Sequence, residues 1–344
     1  MSTKVGINGF GRIGRLAFRR CVEEGLEVVA INDLSSPTNL AYLLKYDSTH
    51  GTWRAEDIDS YEQGIVFCGK KIPVFACKDP AMIPWKDNGA EVVLECTGRF
   101  KTQELAGVHI SKGGAKAVVI SAPAGDKITP TYAYGVNTDK LTKDQKVISG
   151  ASCTTNCLGP VCKVLDEKFG IVGGYMTTVH AYTNDQASLD IVKEKDFRRG
   201  RACAANIVPT STGAAKAIGL VLPQLQGRLQ GSALRVPVVD GSMIDLNVIL
   251  NKKTSKDEIN AAMKKAADGE LKGVLGYSAD PIVSSDVIGI TYGSFYDATD
   301  TNVFEDPDGN QHVDIFAWYD NEYSYTCQLI RLAKLYGEIL GVND

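Results

Sequence analysis

The segment Gly9-Phe10-Gly11-Arg12-Ile13-Gly14 constrains the fold more than any other stretch of the chain. It matches G-x-G-x-x-G, and its flanks matter as much as its glycines. Lys4–Asn8 is a short apolar run that reads as a strand. Arg12 to about Glu24 carries Ile13, Leu16, Ala17 and Val22 at helical spacing. Glu27–Asn32 reads as a second strand and ends at Asp33, 19 residues beyond Gly14. In such a strand–loop–helix–strand unit each part has a physical job. The first glycine makes the tight turn, the second lets a pyrophosphate approach the backbone, and the third lets helix and strand pack closely. The helix N-terminus then faces the phosphates. A carboxylate at Asp33 accepts hydrogen bonds from the adenosine ribose and repels a 2′-phosphate, which favours NAD over NADP.

The rest of the first half continues the alternation of strands and helices expected of a doubly wound parallel sheet. Leu40–Lys45 reads as a short helix. Ile65–Cys68 and Lys71–Ala76 flank Gly69-Lys70 as a hairpin. Glu91–Glu95 reads as a strand, Thr102–Gly113 as a helix, and Ala117–Ser121 and Lys146–Ser149 as further strands. Thr97 and Ser121 fall at strand ends, on the carboxyl edge where ligands of such sheets bind. Lys78 is placed to reach an adenine or a phosphate, or simply to be solvated.

The stretch Ala151–Asn156, ASCTTN, follows the last of these strands. Leu158, Val161, Cys162, Leu165 and Phe169 then line one helical face, so Cys153 sits where a strand turns into a helix, with Ser152 or Thr154 as the cap. A helix N-terminus favours thiolate over thiol, and a lowered thiol pKa is the expectation here. The chain holds nine cysteines. Their odd, uneven spacing gives no disulfide framework and points to a reducing, cytoplasmic compartment. Cys157 reads as a core thiol or a redox neighbour. With a net charge of −4 and no basic run, nucleic acid is not indicated as a partner. No segment approaches the ~18 apolar residues of a membrane span, and the N-terminus lacks a signal-peptide core. No metal site is expected.

The second half has longer strands and fewer helices, which predicts an α+β domain with a mixed or antiparallel sheet. Ile171–Ala181, Ser232–Val236, Ser242–Asn251, a run near Val287–Tyr292 and His312–Trp318 read as strands. Ala214–Leu222, Lys256–Ala267 and Glu322 to about Ile339 read as helices. Residues 184–206, with Arg198, Arg199 and Arg201, read as a long loop. A nicotinamide domain followed by a reactive cysteine suggests aldehyde oxidation through a thiohemiacetal and a thioester. That route needs a base. Of four histidines, His180 is the best placed, ending a strand beside Thr177, Thr178 and Thr183. A packed or capping histidine is the alternative. Phosphate binding wants arginines, hydroxyls and backbone N–H groups. Thr183, the Thr212-Gly213 helix start, the Arg198-Arg199 pair and Arg235 all fit. Arg235 stands out because an unpaired charge inside an apolar strand is costly.

Taken together, INGFGRIGR at 7–15, KYDSTHG at 45–51, ECTG at 95–98, ASCTTN at 151–156, HAYTNDQ at 180–186, PTSTGAAKA at 209–217, LRVPV at 234–238 and WYDNE at 318–322 resemble the phosphorylating glyceraldehyde-3-phosphate dehydrogenases of glycolysis, essentially end to end. The resemblance implies oxidation of glyceraldehyde 3-phosphate to an acyl phosphate with NAD and inorganic phosphate. Cys153 would be the nucleophile and His180 the acid–base. Thr183 and Arg235 would bind the substrate phosphate with Arg199 nearby, and Ser152, Thr154, Thr212 and Gly213 would receive inorganic phosphate. Arg12, Ile13, Asp33, Lys78 and Ser121 would line the NAD site beside Gly9, Gly11 and Thr97, with Asn321 orienting the nicotinamide amide. The implied domains are an NAD-binding Rossmann domain at 1–152, a catalytic domain at 153–320 and a helix at 321–344 returning to the first. A homotetramer is implied, with the 184–206 loop lining a neighbour's cofactor site. Lys78 stands where arginine is frequent, and Val192 where many NAD-dependent members have proline. Val303–Gln311 looks like a lengthened surface loop. The competing readings are a sibling that oxidises erythrose 4-phosphate and a non-catalytic binding or adhesion role.

Overall fold

The computed structural model describes residues 2–341 and resolves the chain into two units. The first comprises the chain up to Tyr134, Thr138–Ala151 and the segment from Thr326 onward; the second comprises Gly135–Asn137 and Ser152–Tyr325.

The first unit opens with β1 (Lys4–Asn8), α1 (Arg12–Glu23) and β2 (Glu27–Asn32). There follow α2 (Pro37–Lys45), β3 (Ile58–Tyr61), β4 (Gly64–Phe67), β5 (Lys70–Phe75), β6 (Val92–Glu95), α3 (Gln103–Ser111), β7 (Ala117–Ile120) and β8 (Val147–Ser149). The sheet runs β3-β4-β5-β2-β1-β6-β7-β8. Its six strands from β5 to β8 are parallel, and the β3–β4–β5 meander at one edge is antiparallel. The strand order reverses at β1: β2 lies on one side and β6 on the other. That switch leaves a crevice at the carboxyl ends of these strands. The central strands are buried on both faces, as a parallel sheet with helical cover requires. Gly9 turns the chain with φ +90°. A Cβ on Gly14 would stand 2.0 Å from the Gly9 carbonyl oxygen, so only glycine lets α1 start this close to β1.

The second unit begins with α4 (Cys153–Phe169), followed by β9 (Ile171–Ala181), β10 (Val208–Ser211), α5 (Ala214–Val221), β11 (Leu229–Val236) and β12 (Ser242–Leu250). It continues through α6 (Lys256–Asp268), β13 (Leu275–Ser278), β14 (Ser294–Glu305) and β15 (Gln311–Tyr319). The seven strands pair in the order β10-β11-β9-β12-β15-β14-β13. The β9–β11 and β13–β14 pairs are parallel and the others antiparallel. Burial alternates residue by residue along β12 and β15, and α4, α5 and α6 pack on the sheet.

The last helix, α7 (Tyr323–Ile339), places Leu329, Ile330, Leu332, Ala333 and Tyr336 in the core of the first unit. Each such fully buried large apolar side chain contributes about 1.5–3 kcal/mol. Lys334 Nζ also donates to the Glu24 carbonyl at 3.0 Å.

Three expectations need correction. No strand forms at Val287–Tyr292: residues 284–287 make a short 3₁₀ turn, and the strand is β14, whose polar second half hides its period. Val303–Gln311 is not a loop but the end of β14, a tight turn anchored by Asp306, and the start of β15. The short strands β3, β10 and β13 were not anticipated, because each mixes polar and apolar residues without the apolar run that marks β6 and β7.

Candidate active site

Cys153 is the first residue of α4. Ser152 is the cap: its Oγ accepts from Thr155 N–H at 3.1 Å. Ahead of it Ala151 takes φ +58°, a left-handed conformation that costs a non-glycine residue about 1–2 kcal/mol. The junction is thus a sharp turn that sets the thiol at the end of the helix.

Three strands bring partners to it. His180 lies near the end of β9 and Arg235 near the end of β11, in register with each other across a parallel pair. His180 Nε2 stands 3.5 Å from Cys153 Sγ. His180 Nδ1 is 2.7 Å from the Ala181 carbonyl oxygen. Arg235 Nη1 donates to the same carbonyl at 2.9 Å and lies 2.7 Å from Nδ1. Tyr319, the last residue of β15, stacks edge-on against the imidazole, with centroids 5.8 Å apart. Its hydroxyl is held by the hydroxyls of Thr154 at 2.9 Å and Thr178 at 2.8 Å.

Burial and the Arg235 guanidinium push the His180 pKa down to about 3. Burial pushes the Cys153 thiol up, against the downward pull of Arg235 and Thr154. The expectation of a lowered thiol pKa is therefore corrected. Burial opposes charge on both groups, raising the thiol and lowering the imidazole. The imidazole is free to take a proton when chemistry offers one. Cys157 is a buried core thiol against Ser294 Oγ at 3.6 Å, and burial raises its pKa as well.

The predicted anion ligands fall into groups. Arg235 Nε is buried and without a partner among the described residues, an open donor beside the thiol site. Thr183 Oγ1 and Arg199 Nη1 both donate to Asp185, which also draws on the charge of Arg235. Arg199 Nε donates to Thr210 Oγ1 at 3.1 Å. Thr212 Oγ1 accepts from Ala214 N–H at 3.2 Å at the start of α5, where Gly213 has open space on its Cβ side. The Thr154 hydroxyl, expected to meet inorganic phosphate, pairs with the Tyr319 hydroxyl at 2.9 Å. Asn321 lies in the second unit, where its Oδ1 accepts from Ser242 Oγ at 2.6 Å. Sequence reasoning passed over Tyr319 and Asp185. Both lie inside motifs quoted above, but nothing local distinguishes them from packing residues.

The other half of the chemistry sits in the first unit. A cleft of about 300 Å³ opens at the switch point, lined among others by Gly9, Gly11, Asp33, Lys78 and Thr97. Leu34, Arg99 and Phe100 also line it and were not anticipated. The walls fit a dinucleotide. Among the described residues no side chain caps α1 and nothing lies within 4 Å of a Cβ built on Gly11, so the backbone there is open to a pyrophosphate. Asp33 Oδ2 accepts from Phe10 N–H at 2.8 Å and Oδ1 from Ser35 N–H at 2.9 Å, which fixes the carboxylate at the rim. Arg12 and Ser121 are not among the lining residues: Arg12 Nη1 donates to Asp47 at 2.5 Å, and Ser121 N–H pairs with the Glu95 carbonyl at 3.0 Å. Ile13 packs against the core.

Residues 3–103 match the family model for the NAD-binding domain of glyceraldehyde 3-phosphate dehydrogenase, and residues 152–321 match the model for its C-terminal domain. The chain belongs to the glyceraldehyde-3-phosphate dehydrogenase family. It is 55% identical to the glyceraldehyde-3-phosphate dehydrogenase of Clostridium pasteurianum over 98% of this chain and 99% of that one. The corresponding protein of Clostridium acetobutylicum is 55% identical at the same coverage, and that of Streptococcus pyogenes serotype M1 is 54% identical. The chain is accordingly an NAD-dependent oxidoreductase of glycolysis acting on glyceraldehyde 3-phosphate. Among the described residues no helix is long and apolar enough to cross a membrane.

Proposed function

We propose that the chain oxidises glyceraldehyde 3-phosphate by covalent catalysis at Cys153, with His180 as the acid–base, and releases the product to inorganic phosphate. The 3.5 Å contact between Cys153 Sγ and His180 Nε2 carries this reading. As the sulfur adds to the aldehyde carbon, His180 takes the thiol proton and returns it to the carbonyl oxygen, giving a thiohemiacetal. His180 next removes the hydroxyl proton as hydride leaves, and a thioester remains on Cys153. NAD, when bound, supplies the hydride acceptor. Inorganic phosphate then attacks the thioester carbon and loses its own proton to solvent, the C–S bond breaks, and His180 returns its proton to the sulfur. The product is an acyl phosphate.

The substrate phosphate is assigned to Arg235, Thr183 and Arg199. Inorganic phosphate is assigned to Ser152, Thr212, Gly213 and the N–H groups at the start of α4. Gly9, Gly11, Arg12, Ile13, Asp33, Lys78, Thr97 and Ser121 are assigned to NAD, and Asn321 to its amide. In this reading residues 1–152 serve the cofactor, 153–320 the substrate, and the final helix completes the first domain. The working form is a cytoplasmic homotetramer.

The test is NADH absorbance at 340 nm with aldehyde and NAD, with and without inorganic phosphate. Sustained turnover only with phosphate is expected. Equal turnover in both conditions would replace phosphorolysis with hydrolysis, the outcome expected of an enzyme releasing an acid. Absence of NADH under all conditions would leave only a binding role.

A further inference from the structure

Beneath the cofactor cleft runs a buried polar belt that the reaction chemistry does not use. Glu95, the last residue of β6, and His109, on α3, are 1% and 0% exposed. Trp85 Nε1 donates to His109 Nδ1 at 3.0 Å. An indole nitrogen only donates, so Nδ1 accepts and the imidazole proton sits on Nε2. That proton faces Glu95 Oε2 at 3.1 Å. The same oxygen accepts from Asn8 Nδ2 at 2.5 Å. The second oxygen, Oε1, accepts from Thr97 N–H at 2.8 Å and from the Thr97 hydroxyl. Asn8 Oδ1 in turn accepts from Asn32 Nδ2 at 2.8 Å. Asn32 grips the Cys77 main chain, accepting from its N–H at 2.9 Å and donating to its carbonyl at 3.1 Å.

The belt therefore crosses the carboxyl ends of β6, β1 and β2 and reaches the segment after β5, which are neighbours in the sheet. Asn8, Asn32, Cys77 and Thr97 line the cleft; Glu95, His109 and Trp85 stand behind them. Apolar side chains would fill this core without the desolvation cost of a carboxylate, an imidazole and two amides. What polar groups add is orientation. Donation to Glu95 and acceptance from Asn32 fix the orientation of the Asn8 amide, and Thr97 is held through both its N–H and its hydroxyl.

We propose that Glu95 and His109 are positioning residues for the cofactor, an acceptor–donor pair that holds the Asn8 and Thr97 rim in the shape NAD binds. The proposal rests on the reading of this cleft as the NAD site. Glu95→Gln keeps the shape but turns an amide NH₂ toward two donors, leaving them unpaired. Calorimetric titration of the full-length variant with NAD is expected to give a Kd raised about ten- to a hundred-fold. The KM for NAD should rise in step, while kcat at saturating NAD and the KM for aldehyde stay within about two-fold. His109→Gln, which keeps a donor toward Glu95, should bind NAD more tightly than His109→Leu; this pair decides the matter if Glu95→Gln does not fold. Wild-type NAD affinity in folded Glu95→Gln and His109→Leu, or a fall in Tm and kcat at unchanged Kd, would overturn the proposal. Failure of the unmodified protein to bind NAD would instead overturn the assignment of the cleft.

Discussion

In the first unit the turn into α1 presents main chain to the cleft. The Gly9 turn, the uncapped start of α1 and the open side of Gly11 present backbone to a ligand, and Asp33 is held by two backbone N–H groups. In the second unit the reactive site is made of side chains. Cys153, His180, Arg235 and Tyr319 come from α4, β9, β11 and β15, and their charge states follow from what surrounds them after folding. A backbone site tolerates change in most side chains but not in its glycines. A side-chain site depends on each member and on burial.

That contrast is broken or sharpened most strongly by replacing the base. His180→Asn should lower kcat by about 10²–10⁴-fold, while calorimetric NAD affinity stays at the wild-type value. Equal loss in both would mean that the two sites are not separable. The converse variant, Gly14→Val, forces side-chain atoms against the Gly9 carbonyl. A stability loss of about 1–3 kcal/mol by urea unfolding is expected, with NAD binding lost at ligand concentrations that saturate the wild type. Asp33→Ser removes the rim carboxylate. It should weaken NAD by about ten-fold and narrow the gap to NADP, read from the two KM values.

The smallest effect concerns pH. Burial raises the Cys153 thiol, so its alkylation by iodoacetamide should climb as pH rises past neutrality, because only the thiolate reacts. His180, with a pKa of about 3, contributes no protonation change across that range. A rate already level below pH 7 would mean that Arg235 and the helix N-terminus outweigh burial.

Legibility in the sequence followed the same division. The β1–α1–β2 unit and Asp33 were readable because the motif is contiguous and its period is strong. Cys153 was readable from its place at a strand–helix junction, and His180 from its place at a strand end. Their pairing was not, because the way α4 packs back on β9 is tertiary and no local period reports it. The thiol's raised pKa was hidden for the same reason: a helix N-terminus is local, whereas desolvation is tertiary. The roles of Thr154 and Tyr319 in supporting each other join residues that only the β15 strand brings together. Glu95 and His109 were not singled out in the sequence, because only folding sets Trp85 against the His109 ring and that ring against Glu95.

The central claim is that oxidation proceeds through acyl transfer to one thiol among nine. Its most direct test mixes enzyme, NAD and glyceraldehyde 3-phosphate without inorganic phosphate, quenches in acid, and maps the peptides by mass spectrometry. The account predicts one NADH per chain and a phosphoglyceroyl adduct confined to the peptide that carries Cys153, discharged on adding phosphate. NADH release with no adduct, or an adduct on Cys157 or any other cysteine, would contradict it.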